Sequence, residues 1–417
     1  MPAPTSAHAP VAGVALSPAA RELYRALGAL PAGLAADADL AAAVCALPWE
    51  RAHTALDELA DADLTEPVRN GGGLSRQRLT PAAHAAARAA QPDGADEHRT
   101  GAALRVSEWL LVLCCAAWHR SRPDRGLLVP AAPTAGWRLP FVRGQGQRWV
   151  KERLDLVETV LALAWNAGWD GLVWQIADAL YVYFEAEHPL PLWRESALRG
   201  LDAARRCGHA SAERRMLRSL AVALAAGGDE EAAAGRLTEL ARLARADGDR
   251  ADEARAAYGL GLVLLRRGDH PGARDRLLQA ADLFGPTSPG TVAALTAAAE
   301  AALGAGDADT AAEAAGRAHT AATASGDPTA AWALALRGRA RHRLGRLDAA
   351  VKDLLAARGA TPAASREREH VLLLTWLAEA HTAAGDTGRA EVCTKAARAL
   401  DADPAGPQLA DDLGPQL

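Results

Sequence analysis

"LAAGGDEEAAAGRL" (224–237) compresses an ending, a turn and a beginning into fourteen residues. Gly228 takes the left-handed backbone that closes a helix at little cost. Asp229 follows, and its carboxylate can accept from the free amides of a new helix. Ala233 then gives that helix a flat surface. The same signal recurs as "GDHPGA" (268–273), "GDADTA" (306–311), "GRLDAA" (345–350) and "GDTGRA" (385–390). Five residues after each anchoring glycine stands Ala233, Ala273, Ala311, Ala350 or Ala390. Seven residues before it stands Ala221, Gly261, Ala299, Gly338 or Ala378. Twelve after comes Leu240, then Ala280, Ala318, Ala357 and Ala397. Small residues at these three places let two antiparallel helices approach closely. Each such hairpin leaves an apolar side uncovered, so hairpins must stack.

Composition agrees with a helical array. Half of the 417 residues are apolar, mainly Ala and Leu, which carry little helix cost. Net charge is −5, which excludes a bulk pull toward nucleic acid. The five cysteines (45, 114, 115, 207, 393) lack C-x-x-C spacing, and residues 1–14 have neither a basic nor an apolar block. Both features are expected of a cytoplasmic chain with free thiols. "WLLVLCCAAW" (109–118) suits a buried helix and is too short to cross a bilayer.

Aromatic residues number 18, and six of them fall in "WNAGWDGLVWQIADALYVYFE" (165–185). Trp174, Ala177, Leu180, Tyr181 and Phe184 follow 3–4 spacing, the pattern of a core stripe on one helix. Tyr183 and Trp169 fall off that stripe and are expected to face a partner. "RWVKERLDLVETVLALAWNAG" (148–168) predicts a single preceding helix.

The repeat resembles the tetratricopeptide (TPR) family, which has small residues at repeat positions 8, 20 and 27 and often Gly at 15. The spacing of 38–40 residues exceeds the usual ~34, and the extra residues are expected in linkers between hairpins. Upstream, Trp149, Glu152, Arg153, Leu156, Val157, Trp174, Gln175, Ala177, Asp178, Leu180, Trp193, Ala203, Ala204 and Arg205 resemble the start of the TPR region in actinobacterial NB-ARC/TPR signal-transduction proteins, relatives of antibiotic-pathway regulators. "LSPAARELYRALGALPAG" (16–33) and the segments to residue 90 outline helices and a Gly-rich hairpin, similar to the winged helix of that family. Two departures stand out. No G-x-x-x-x-G-K-[ST] motif occurs, and Thr80-Pro81 replaces the family's His-Asp pair. The resemblance implies an all-α fold, a TPR-like helical-hairpin solenoid preceded by a small winged-helix-like domain. Its expected parts are a disordered lead (1–14), the winged-helix-like domain (15–92), a joining helix and connector (93–146), aromatic-rich capping hairpins (147–208), five repeats (209–401) and a disordered tail (402–417).

No catalytic constellation emerges. H-E-x-x-H, G-x-S-x-G and Cys/His clusters are all lacking, so neither a metal, nor a cofactor, nor a nucleophile is expected. Cys114 and Cys115 sit in an apolar run, which raises a thiol pKa. Two surfaces remain. The wing brings Arg69, Arg76 and Arg78, candidate DNA contacts, but the helix before it is acidic (Glu50, Asp57, Glu58, Asp61, Asp63). In the TPR family the concave wall comes from the first helix of each hairpin. Counted from the glycines, those positions hold Arg215, Arg218, Arg255, Tyr258, Arg266, Trp332, Arg339, His342 and Arg343, together with Thr296, Glu300, Thr375 and Glu379. Arginine forks there suit an acidic peptide segment or a C-terminal carboxylate. The expected function is a non-enzymatic adaptor or regulator that binds a protein or peptide. The alternatives are a DNA-binding transcriptional regulator and an accessory subunit of a biosynthetic enzyme.

Overall fold

The computed structural model describes residues 15–69, 75–90, 95–121, 128, 138–142, 144–286, 288–361 and 367–402. The chain divides into two compact units, at residues 1–227 and 228–417. The expected lead, most of the tail and most of the 122–137 connector lie outside the described residues.

Unit one opens with α1 (Pro18–Ala29), α2 (Ala38–Cys45) and α3 (Trp49–Asp61). The antiparallel hairpin β1 (Thr65–Arg69) and β2 (Ser75–Leu79) follows, with Thr65 opposite Leu79. Ala36 bridges Gln77, adding a one-residue third edge. Next come α4 (Pro81–Ala89), α5 (Ala95–Ser121), α6 (Gly146–Lys151), α7 (Leu154–Asn166), α8 (Asp170–Ala179), α9 (Tyr181–Glu187), α10 (Leu190–Arg206) and α11 (Ala210–Ala226). Gly28 on α1 packs so closely on α4 that a Cβ there would stand 2.4 Å from the Ala87 Cβ.

The ten-residue apolar run belongs to α5, whose Thr100–Trp118 stretch is long and apolar enough to cross a membrane. Its length therefore corrects the expectation from the short run. In this structure more than half of that stretch is buried, and α5 packs on α1, α2, α7 and α8.

The aromatic stretch forms the core of unit one. Trp109, Trp118, Trp149, Trp174, Tyr181, Phe184 and Trp193 are all buried. Trp193 is sandwiched between Phe184 (5.8 Å, stacked) and Tyr181 (5.9 Å, edge-on), and its indole donates to Ser219 Oγ at 2.8 Å. Such rings bury about 150–250 Å² each, enough to fill space that Ala-rich helices leave open. Two expectations change. The single helices predicted at 148–168 and 170–187 each break, at Glu152–Arg153 and at Leu180. Tyr183 is 4% exposed rather than facing outward, in a stretch buried on all sides from Ile176 to Phe184. Trp169 is half-buried at the head of α8.

Unit two holds α12 (Glu230–Ala246), α13 (Arg250–Arg266), α14 (His270–Phe284), α15 (Pro289–Gly304), α16 (Ala308–Ser325), α17 (Ala330–Arg343), α18 (Leu347–Ala360), α19 (Glu367–Ala383) and α20 (Thr387–Ala402). It is a TPR-like stack of helical hairpins. All five anchoring glycines have positive φ, from 71° to 82°. Asp229, Asp269, Asp307 and Asp386 accept from amides three residues on. Alanines 233, 273, 311 and 350 are fully buried. A Cβ on Gly261 would stand 2.5 Å from Leu277, and one on Gly338 2.8 Å from Leu354, so glycine sets those helix separations.

The long repeat period has a different source from the one expected. Helices α10 to α13 each have 17 residues, and three-residue turns join them at Gly208, Gly228 and Gly248. The extra residues here lengthen the helices, and the linkers between hairpins stay as short as the turns within them. Only later do linkers grow, as at 285–288 between α14 and α15.

Candidate functional site

The first helices of the unit-two hairpins, α13, α15, α17 and α19, carry a row of side chains that touch across repeats. The Trp332 indole donates to Glu300 Oε1 at 2.8 Å, joining α17 to α15. Trp332 and Trp376 lie 5.6 Å apart and tilted by 30°, joining α17 to α19. The Arg339 guanidinium sits 5.6 Å over the Trp376 ring and pairs with Glu379. Arg343 donates to the Leu303 carbonyl at the end of α15. Tyr258, Trp332 and Trp376 pack on one alanine- and leucine-rich core.

The expected wall residues in unit two therefore come together, although mostly with one another. Arg255 pairs with Asp252 at 2.8 Å and Arg266 with Glu230 at 3.8 Å. Burial and the nearby Glu300 carboxylate push the Tyr258 hydroxyl above the usual phenol range. Burial, with Arg339 and Arg343, holds His342 below the usual imidazole range, so it is neutral at pH 7. His342 also lines a cavity of about 560 Å³ with Thr375, Glu379, Thr382, Thr394 and Arg398, bounded by α17, α19 and α20. The expected carboxylate-binding forks are thus already engaged by internal acceptors. Trp376 was not among the expected wall residues. It falls off the counted positions, although it is one of only four aromatics after residue 227.

The remaining candidates lie in unit one. Arg215 binds Asp178 at 3.0 Å, and the Arg218 guanidinium lies 5.5 Å over the Tyr181 ring. Burial pushes the Asp178 carboxyl up, while Arg215 and Arg218 pull it back. These arginines serve the aromatic core. Arg76 is buried in an ion pair with Asp155 at 3.0 Å, which ties β2 to α7. Arg78 binds Glu66 across the hairpin at 2.6 Å. Arg76 is thus turned away from solvent, unlike an expected DNA contact, while Arg78 stays exposed. The Arg69 side chain lies outside the described residues. Arg153 donates to Asp37 at 2.7 Å and lies 4.7 Å over Trp149, adding a second tie between α7 and the N-terminal helices. Burial pushes the Cys115 thiol up to about 12 and Cys114 higher still, so neither is a thiolate at neutral pH.

No family model matches the sequence, and no curated protein does. Among solved structures, BtubC from P. vanneervenii is 18% identical over 52% of this chain and 93% of its own, with a TM-score of 0.45. The Signal Transduction ATPase with Numerous Domains protein with a tetratricopeptide repeat sensor from Pyrococcus horikoshii is 12% identical over 92% of this chain and 63% of its own, at 0.48. The apo quorum sensor NprR from B. thuringiensis is 16% identical over 61% and 72%, at 0.42.

Proposed function

We propose that the protein is a non-enzymatic adaptor or regulator that captures a protein or peptide segment along the first-helix wall of unit two. The observation that carries this reading is the half-buried Trp332–Trp376 pair on that wall. Aromatic rings elsewhere in the chain are mostly spent on the core of unit one, whereas Trp332 stands at a hairpin position that forms the concave wall of TPR proteins, and Trp376 packs beside it. Large, rigid aromatics are what interfaces use as anchors. In unit one, the order of three helices and a hairpin, with the Ala36–Gln77 bridge, supports a winged-helix-like module at 15–92. The burial of Arg76 against Asp155 favours a packing role for that module over DNA binding.

The experiment is selection from a displayed random-peptide library, followed by binding to Trp332→Ala. Enriched peptides should lose most of their affinity for the variant. Failure to enrich any peptide, or binding indifferent to Trp332→Ala, rejects the groove.

A further inference from the structure

Glu300, Arg339 and Glu379 occupy the same place in three successive hairpins, each six residues before its anchoring glycine. One cation therefore stands between two carboxylates. The structure gives it to Glu379, with the Trp376 ring beneath the guanidinium at 5.6 Å. Ring, guanidinium and carboxylate form a complete group: the ring face attracts the cation and the carboxylate neutralises it. Upstream, Trp332 on α17 and Glu300 on α15 make a second pairing of ring and carboxylate, this one between two helices and without a cation. Glu300 is exposed, and its Oε1 accepts from the Trp332 indole. Among the described residues no Arg, Lys or His comes within ion-pair distance of it. Tyr258 packs on the same core as Trp332, near enough for the Glu300 carboxylate to help raise its hydroxyl.

We infer that this corner, Tyr258–Glu300–Trp332, receives a cationic side chain from the partner, an arginine on an extended peptide segment. The inference rests on the groove reading above and reverses the sign of ligand that an arginine count suggests. The wall arginines already have acceptors, namely Asp252, Glu230, Glu379 and the Leu303 carbonyl. An acidic ligand would have to displace these, whereas Glu300 has a charge to offer at no such cost. A planar guanidinium suits the corner better than an ammonium does, because it can lie on an indole face and still donate in its own plane to the carboxylate.

The probe is a fluorescein-labelled hexapeptide of alternating Ala and Arg, compared with its Ala/Glu counterpart by fluorescence anisotropy on the full chain. The Arg peptide should bind more tightly. Glu300→Gln, which keeps an acceptor for the Trp332 indole, should weaken it about tenfold. Glu313→Gln, an exposed carboxylate on α16, should leave it unchanged. Circular dichroism confirms that each variant is folded. Equal loss in both variants means bulk charge attraction and overturns the inference, as does an unchanged Glu300→Gln. A preference for the Glu peptide that is abolished by Trp332→Ala also overturns it, while sparing the groove. If neither peptide responds to Trp332→Ala, the groove reading falls with it.

Discussion

The two units solve one packing problem with opposite materials. Around Trp193 in unit one, helices are held apart by large rings, and a buried polar link joins Trp193 to Ser219. Around Gly261 and Gly338 in unit two, helices are drawn together until the backbone of one rests on a leucine of the next. The first material tolerates irregular helices, and α6/α7 and α8/α9 are both broken. The second demands regular ones, since a small-residue seam works only if every helix keeps its phase. The contrast explains why the aromatics concentrate where the fold is least periodic.

The largest expected effect tests the ring-filled core. Trp193→Ala removes a fully buried indole and orphans Ser219, and should cost about 3–5 kcal/mol. Nine of the eleven tryptophans precede residue 228, so intrinsic fluorescence mostly reports unit one. The fluorescence midpoint in urea should fall, and an unchanged midpoint would break the comparison. The seam in unit two comes next. Gly338→Leu drives carbon into the Leu354 side chain and should cost about 1–3 kcal/mol through overpacking. Loss of helical signal should then precede the fluorescence change. Asp269→Ala removes the acceptor for the Gly272 amide and should cost about 1 kcal/mol by the same circular-dichroism measurement.

The smallest effect sharpens the contrast by pH. Burial holds His381 on α19 below the usual imidazole range. The unfolded chain therefore binds the proton more readily than the folded one. This contribution to stability is full well above pH 6.5 and declines as pH falls through the unfolded value toward the lower folded one. Acidification from pH 7.5 should lower the urea midpoint of the helical signal, and His381→Gln should flatten that slope. A slope identical in the two proteins would remove His381 from the account.

Much of unit two was legible from glycine, aspartate and alanine spacing, because helix ends and close helix contacts depend on a few residue types with strong local physics. The turns at Gly208 and Gly248 carry the same signal and show why the period is 40. A count that followed only the turn within each hairpin missed them. Unit one was legible as a core stripe but not as broken helices. Glu152–Arg153 and Leu180 have ordinary helix propensities, so nothing local in the sequence marks the breaks there. At the wall, the sequence indicated which residues share a face. It did not indicate which charges neutralise which, so Arg339 read as a free fork until its pairing with Glu379 was seen. Arg76 misled similarly, since no local pattern announces an acceptor 79 positions away.

The turns have a further consequence, for how such a chain can change length. Residues 269–306 run from one anchoring turn to the next. Their excision would set Gly268 directly before Asp307 and restore a Gly-Asp junction identical in kind to the one removed. Every remaining helix would keep its own start and stop. Because neighbouring hairpins are the main contacts in such arrays, this protein can gain or lose reach in whole hairpins, through in-frame duplications or deletions that never expose a new kind of joint.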